Sequence, residues 1–190
     1  MRDNYLSSIK KQFLYNRELG WKTISQLPEE KINWQYNQES NSITQLVKHL
    51  SSNMLSRWTD FLSSDGEKAW RVRDSEFESE SFNKDQIKKV WDKGWNCLLD
   101  TIDSLETQDL DKVVYIRNQG HTVVEAINRQ LSHYSYHVGQ IVFIGKMIQN
   151  DQWQSLSIPR GQSASYNQKM FSKEKQRAHF THDFLPKKER

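Results

Sequence analysis

The sequence predicts an all-α fold, a four-helix bundle with long connecting loops and a C-terminal extension. Three observations predict it. Four long segments carry apolar residues at helical spacing. Capping residues open most of them. Glycine (seven) and proline (three) are scarce in a chain of 190 residues, too few for a sheet-rich fold with many turns.

Residues 2–20 read as the first helix, with Tyr5, Leu6, Ile9, Phe13 and Leu14 on one face and Gly20 as its stop. Residues 21–41, with Pro28, Asn33, Asn37 and Asn41, read as a loop whose Trp34 and Tyr36 could pack onto the bundle end. The second helix opens at Ser42, where Ser42-Ile-Thr-Gln45 fits a capping box. Its stripe runs from Ile43 through Leu46, Val47, Leu50, Met54, Trp58 and Phe61 to Leu62, and Ser63-Ser64-Asp65-Gly66 ends it. Residues 64–82 are charged and make a long connection, of the kind that is functional or loosely ordered.

The third helix spans about 83–106, with Asn83 as N-cap and Ile87, Trp91, Trp95, Leu98 and Ile102 facing the core. Val113-Val114-Tyr115-Ile116 is β-prone, and Asn118-Gln-Gly120 reads as a turn. The fourth helix opens at Thr122 with a second box, Thr122-Val-Val-Glu125. Ile127, Leu131, Tyr134, Val138, Ile141, Gly145 and Ile148 then alternate spacings of four and three, as a bundle seam requires. Residues 1–150 read as the bundle. Residues 151–190 read as an extension packing on it, with the turn Ile158-Pro-Arg-Gly161, a weak helix and a charged end expected to fray.

Composition excludes several classes. The 27 basic and 24 acidic residues give a net charge of +3, without the basic, aromatic-interleaved stripe of a nucleic-acid binder. No apolar run approaches the roughly 20 residues of a membrane span. The first twenty residues are charged throughout, unlike a secretory signal. The lone Cys97 excludes an internal disulfide framework and reads as a small core residue. A soluble, cytoplasmic protein is expected.

The chemistry concentrates in three histidines. His133 and His137 lie one turn apart on the fourth helix, and His49 lies mid-way along the second. Residues at i and i+4 project from one helix face, close enough to grip one metal ion. His137 lies about 60° round the helix from Tyr134 and about 40° from Ile141, so it flanks the seam. A third imidazole from a facing helix would complete a site that keeps an open position for water, thiolate or substrate. Core-flanking imidazoles satisfied by hydrogen bonds, in a bundle without metal, are the alternative. Asn53 and Arg57 share the row of His49 and are candidates to contact its ligands or substrate. Arg71, Arg73 and Arg160 sit in loops that could cover the pocket and bind an anionic substrate. His121 reads as a loop residue, and His179 and His182 as solvated tail residues.

The strings HLSSNMLSRWTDFLSSDGEKAWRVRDSEFE, AINRQLSHYSYHVGQIVFIGK and SIPRGQS, with this triad, resemble the DinB/YfiT-like superfamily of metal-dependent enzymes, and within it a bacterial DinB-like subfamily without an assigned activity. The resemblance covers about residues 1–150. It implies an up-down-down-up four-helix bundle, often a homodimer. It also implies one divalent ion, nickel or zinc, on His49, His133 and His137. Relatives use the metal to activate a low-molecular-weight thiol such as bacillithiol. The function expected is therefore a metal-dependent thiol S-transferase or related hydrolase acting on a small-molecule substrate. A non-catalytic, stress-related metal-binding module, or a dimeric bundle with a structural metal, is the alternative. No catalytic residue is assigned.

Overall fold

Three capping boxes start three of the four long helices where the sequence places them. Ser42 accepts from the Gln45 backbone N–H while Gln45 Oε1 accepts from the Ser42 N–H, and Asn83 with Gln86 and Thr122 with Glu125 repeat the arrangement. Each box satisfies backbone donors that the first turn leaves free, worth about 1 kcal/mol apiece. The computed structural model describes residues 2–185, which are 63% helical. Its helices are α1 (Arg2–Gln26), α2 (Ile43–Trp58), α3 (Lys84–Ser104), α4 (Val123–Gln149) and the shorter α5 (Ser163–Phe171). Strands β1 (Val113–Ile116) and β2 (Gln119–Thr122) pair antiparallel.

The core is continuous across the long helices. α2 packs most extensively against α3, and α1 against α4. Phe13 from α1, Trp58 from α2, Trp91 and Trp95 from α3 and Tyr134 from α4 are fully buried together. Each such side chain contributes on the order of 1.5–3 kcal/mol through apolar burial. Gly94 lets α3 approach the α2 backbone, since a Cβ there would stand 2.7 Å from Ser51 Cα.

Gly20 does not stop α1. The helix runs through it to Gln26 and buries Ile24 on the way. The glycine is needed for packing instead, because a Cβ at that position would overlap the indole of Trp91. α2 is shorter than its apolar stripe. It ends at Trp58, Asp60 takes a positive φ of 50°, and Phe61 reaches the core from the loop.

The β-prone stretch forms a hairpin. Its two-residue turn is Arg117-Asn118, one position before the expected one, with φ of 54° and 60°. Paired left-handed residues match the right-handed twist of the flanking strands. Asp65 accepts from both turn amides, at 2.9 and 2.8 Å, and Gly66 N donates to Tyr115 O. The α2–α3 connection is thereby tied down, and it contains the 3-10 turn Asp74–Phe77.

Trp34 and Tyr36 meet each other edge-on at 6.3 Å and line a groove with Leu46 of α2 and Phe143 of α4, Trp34 half-buried and Tyr36 70% exposed. Part of the extension returns to α1. Tyr15 contacts Phe180 and Phe184, Leu185 joins the core, and His179 caps the 3-10 turn Phe180–Asp183 while bonding Ser8. His179 is therefore not a solvated tail residue. The expected fraying of residues 187–190 falls outside the described residues. Among the described residues no helix is long and apolar enough to cross a membrane.

Candidate metal centre

The capped starts of α2 and α4 set where their mid-helix histidines fall, and the packing of the two helices brings them together. His133 Nε2 lies 3.2 Å from His49 Nε2 and 3.1 Å from His137 Nε2. Two nitrogens on one tetrahedral zinc, each about 2.0–2.1 Å from it, stand roughly 3.3 Å apart. His49 and His137 are buried and His133 is half-buried.

The other ring nitrogens are fixed from outside. Glu76 Oε2 lies 2.8 Å from His49 Nδ1, and Gln140 Oε1 lies 2.7 Å from His137 Nδ1. Both partners accept, so each Nδ1 carries the hydrogen, and in neutral imidazoles each Nε2 is left as a lone pair. Burial, then the neighbouring His137 and His49, pushes His133 down from 6.5 to about 3. Burial also lowers His137. His133 Nε2 can donate to only one of its two neighbours. Lone pairs therefore face each other within about 3.2 Å unless a cation lies between them. The donor set fits a divalent ion. Among the described residues, the cluster of side chains able to share one ion contains these three alone.

Glu76 is itself held. Arg71 Nε and Nη2 donate to its two oxygens at 2.8 and 3.0 Å. Burial opposes its charge, but hydrogen bonds from His49, Arg71 and Ser52 prevail and keep the carboxyl at about 2. The Phe77 ring stacks 5.0 Å from His49, and Tyr136 meets His137 edge-on at 4.9 Å. Beneath the site, Trp58 Nε1–H donates to Tyr134 Oη, which donates to Asn53 Oδ1, both at 3.0 Å.

A cavity of about 610 Å³ opens beside the imidazoles. Arg57, Arg71, Arg73, Arg117 and Arg129 line it with Asn53, Gln130 and the three histidines, and among the described residues no carboxylate does. With this geometry, the sequence can be placed among known proteins. The DUF1572 family, whose description is "protein of unknown function", matches residues 1–162. The chain is a member of DUF1572. No curated protein and no solved structure matches it.

The DUF1572 match contains every residue of the site. Of the candidates beyond the triad, Asn53, Arg57, Arg71 and Arg73 all line the cavity. Arg160 does not. It is exposed, inside the turn that Gln162 N closes on Pro159 O, and lies outside the cavity lining. Arg71 is no loose cover, since its side chain is 1% exposed and locked to Glu76. Arg57 is buried, and its guanidinium serves Glu67 and the Gly66 carbonyl. Cys97 is half-buried against Thr59, and burial pushes its thiol up.

Gln130 and Gln140 share the row of His133 that the helical spacing marks as suited to a site, whereas Glu76, Arg117 and Arg129 are not evident as site residues in the sequence. Arg129 carried a signal, since it precedes His133 by four residues and so shares its row. Gln140 follows His137 by three. Glu76 stood in a charged run with no periodicity, and Arg117 depends on a hairpin that closes far from the histidines in sequence.

Proposed function

We propose that this DUF1572 chain is a divalent-metal-dependent enzyme of the DinB/YfiT type, with His49, His133 and His137 as ligands through Nε2. The observation that carries the reading is the convergence of three imidazoles, with the Nε2 atoms of His49 and His137 both within 3.2 Å of His133 Nε2 and the Nδ1 atoms of His49 and His137 held by dedicated acceptors. The packing of α2 on α3 and of α1 on α4 supports an up-down-down-up bundle. So does the length of segment 59–83, because two successive parallel helices need a connection that runs back along them.

A divalent ion, nickel or zinc as the DinB/YfiT resemblance implies, would lower the pKa of a bound thiol or water and so supply a nucleophile near neutral pH. The chain's own residues do the rest. Glu76 and Gln140 hold the imidazoles in the tautomer that points Nε2 inward. Phe77 packs against the His49 ring and Tyr136 against that of His137. A three-residue cluster leaves one side open, toward the arginine-lined cavity, as a catalytic site requires and a closed structural site does not.

The reaction proposed is attack of a low-molecular-weight thiolate on an electrophilic carbon: the C–S bond forms as the carbon–halide bond breaks, and the halide and the thiol's proton pass to solvent. The test is a screen of cytosolic thiols against a haloalkyl electrophile, with nickel- or zinc-loaded protein and mass detection of the conjugate. Turnover is expected to require metal and to vanish in His49→Ala. No thiol giving turnover above His49→Ala would remove the transferase reading and favour a metal-binding module.

A further inference from the structure

The charges around the cavity do not balance. Five guanidiniums line it, and the carboxylates that reach them are few. Glu67 accepts from Arg57, Arg71 and Arg117, and Glu76 accepts from Arg71. Asp74 approaches Arg73 only at 3.9 Å, from a side chain that is 98% exposed and therefore screened by solvent. Arg73 otherwise lies over the Phe77 ring, and Arg129 has a ring nitrogen of His121 as its partner. A cleft lined by one sign of charge with low-dielectric walls focuses its field on a ligand of the opposite sign.

A second observation is independent of charge. Four buried side-chain polar atoms lack a hydrogen-bond partner among the described residues. Two are indole nitrogens, of Trp91 and Trp95. The other two, Arg57 Nε and Gln130 Oε1, belong to buried residues that line this cavity. Buried polar atoms are rarely left unpaired, because each costs the full desolvation of the group. Both atoms lie beneath the cavity surface, so they mark an incompletely paired floor and the ligand itself is argued from the guanidiniums that face the opening.

We propose that the cavity binds a small, multiply charged oxyanion, with carboxylate or phosphate oxygens against Arg73, Arg117 and Arg129. The inference deepens the metal-centre reading and rests on it for what the anion is brought beside. Arg57 and Arg71 are already committed to Glu67 and Glu76, so they set the field of the cavity floor. Arg73, Arg117 and Arg129 are exposed enough to release their present contacts and grip the ligand. Guanidinium pairs with carboxylate and phosphate in bidentate fashion, which suits all three for this role.

The test is calorimetric titration of the full chain, metal-free and nickel-loaded, with inorganic phosphate and with succinate. Binding of at least one anion is expected, weakened about tenfold in each of Arg117→Ala and Arg129→Ala, and more in the pair. Arg160→Ala, outside the cavity, should bind as the parent does. Preference for phosphate assigns a phosphate ester, and preference for succinate a polycarboxylate. Metal-free protein that binds anion but takes up no nickel would leave this inference standing and remove the metal reading. Nickel uptake with no anion bound at millimolar concentration would do the reverse. Arg117→Ala and Arg129→Ala both binding with parental affinity would overturn the proposal.

Discussion

Glu76 Oε2 sits 2.8 Å from His49 Nδ1, while Arg71 holds both oxygens of the same carboxylate. A buried arginine, a carboxylate and an imidazole thus run in series from the α2–α3 connection to the centre. The arrangement explains how a charged connection can be ordered and serve the site. Its carboxylate fixes the tautomer and raises the basicity of the imidazole it touches.

Glu76→Gln keeps an acceptor for His49 but removes the charge. Metal affinity is expected to fall by roughly 10–100-fold, as for other partners of metal-bound histidines. Competition against a chromophoric chelator measures it. Unchanged affinity would mean that the carboxylate only holds Arg71. Glu76→Ala should also lower stability, by about 3–5 kcal/mol, because it leaves Arg71 charged, buried and half-paired.

Acid should destabilise the metal-free protein. Unfolded His133 takes up its proton near 6.5, the folded residue only near 3. Between those values the unfolded state binds more protons, so stability falls as pH drops from about 6.5 toward 3. Denaturant unfolding across that range reads the slope, which His133→Asn should flatten. Equal slopes in the two proteins would show that His133 is not desolvated.

The hydrogen-bond chain from Trp58 through Tyr134 to Asn53 joins α2 and α4 under the histidines. Tyr134→Phe leaves a buried indole N–H and an amide oxygen without partners. A loss of about 1–3 kcal/mol in unfolding free energy is expected, with the denaturant slope unchanged. A loss below about 0.5 kcal/mol would show that other groups satisfy both atoms.

Gly94→Ala inserts a methyl group against the Ser51 backbone. Backbone cannot yield as a side-chain end does, so α2 and α3 must separate. The expected cost is about 1–3 kcal/mol, read from the denaturation midpoint. A neutral or stabilising change, as alanine would give in an exposed helix, would contradict the close approach.

What was legible in the sequence was mostly local. Ser42, Asn83 and Thr122 announce helix starts because a capping box needs only residues three apart. His133 and His137 announce one another by a single turn. The errors arise where distant residues decide. Gly20 resembles a helix stop until Trp91 arrives to fill the space above it. Asn118-Gln-Gly120 resembles a turn, but strand pairing and Asp65 place the turn at Arg117-Asn118. Glu76 shows no periodic pattern: Arg71 stands five residues before it, but His49 meets it only when the connection folds back on α2. His179 looked solvated because only the docking of the tail on α1 gives it Ser8.

As proposed, His49, His133 and His137 together hold one ion. Metal content of the purified chain after loading and desalting tests it most directly, by elemental analysis of the parent and of His49→Ala, His133→Ala and His137→Ala. About one divalent ion per chain is expected in the parent, with loss in each variant while helical content is retained. Full stoichiometry in His137→Ala, or a parent that retains no ion, would contradict the account.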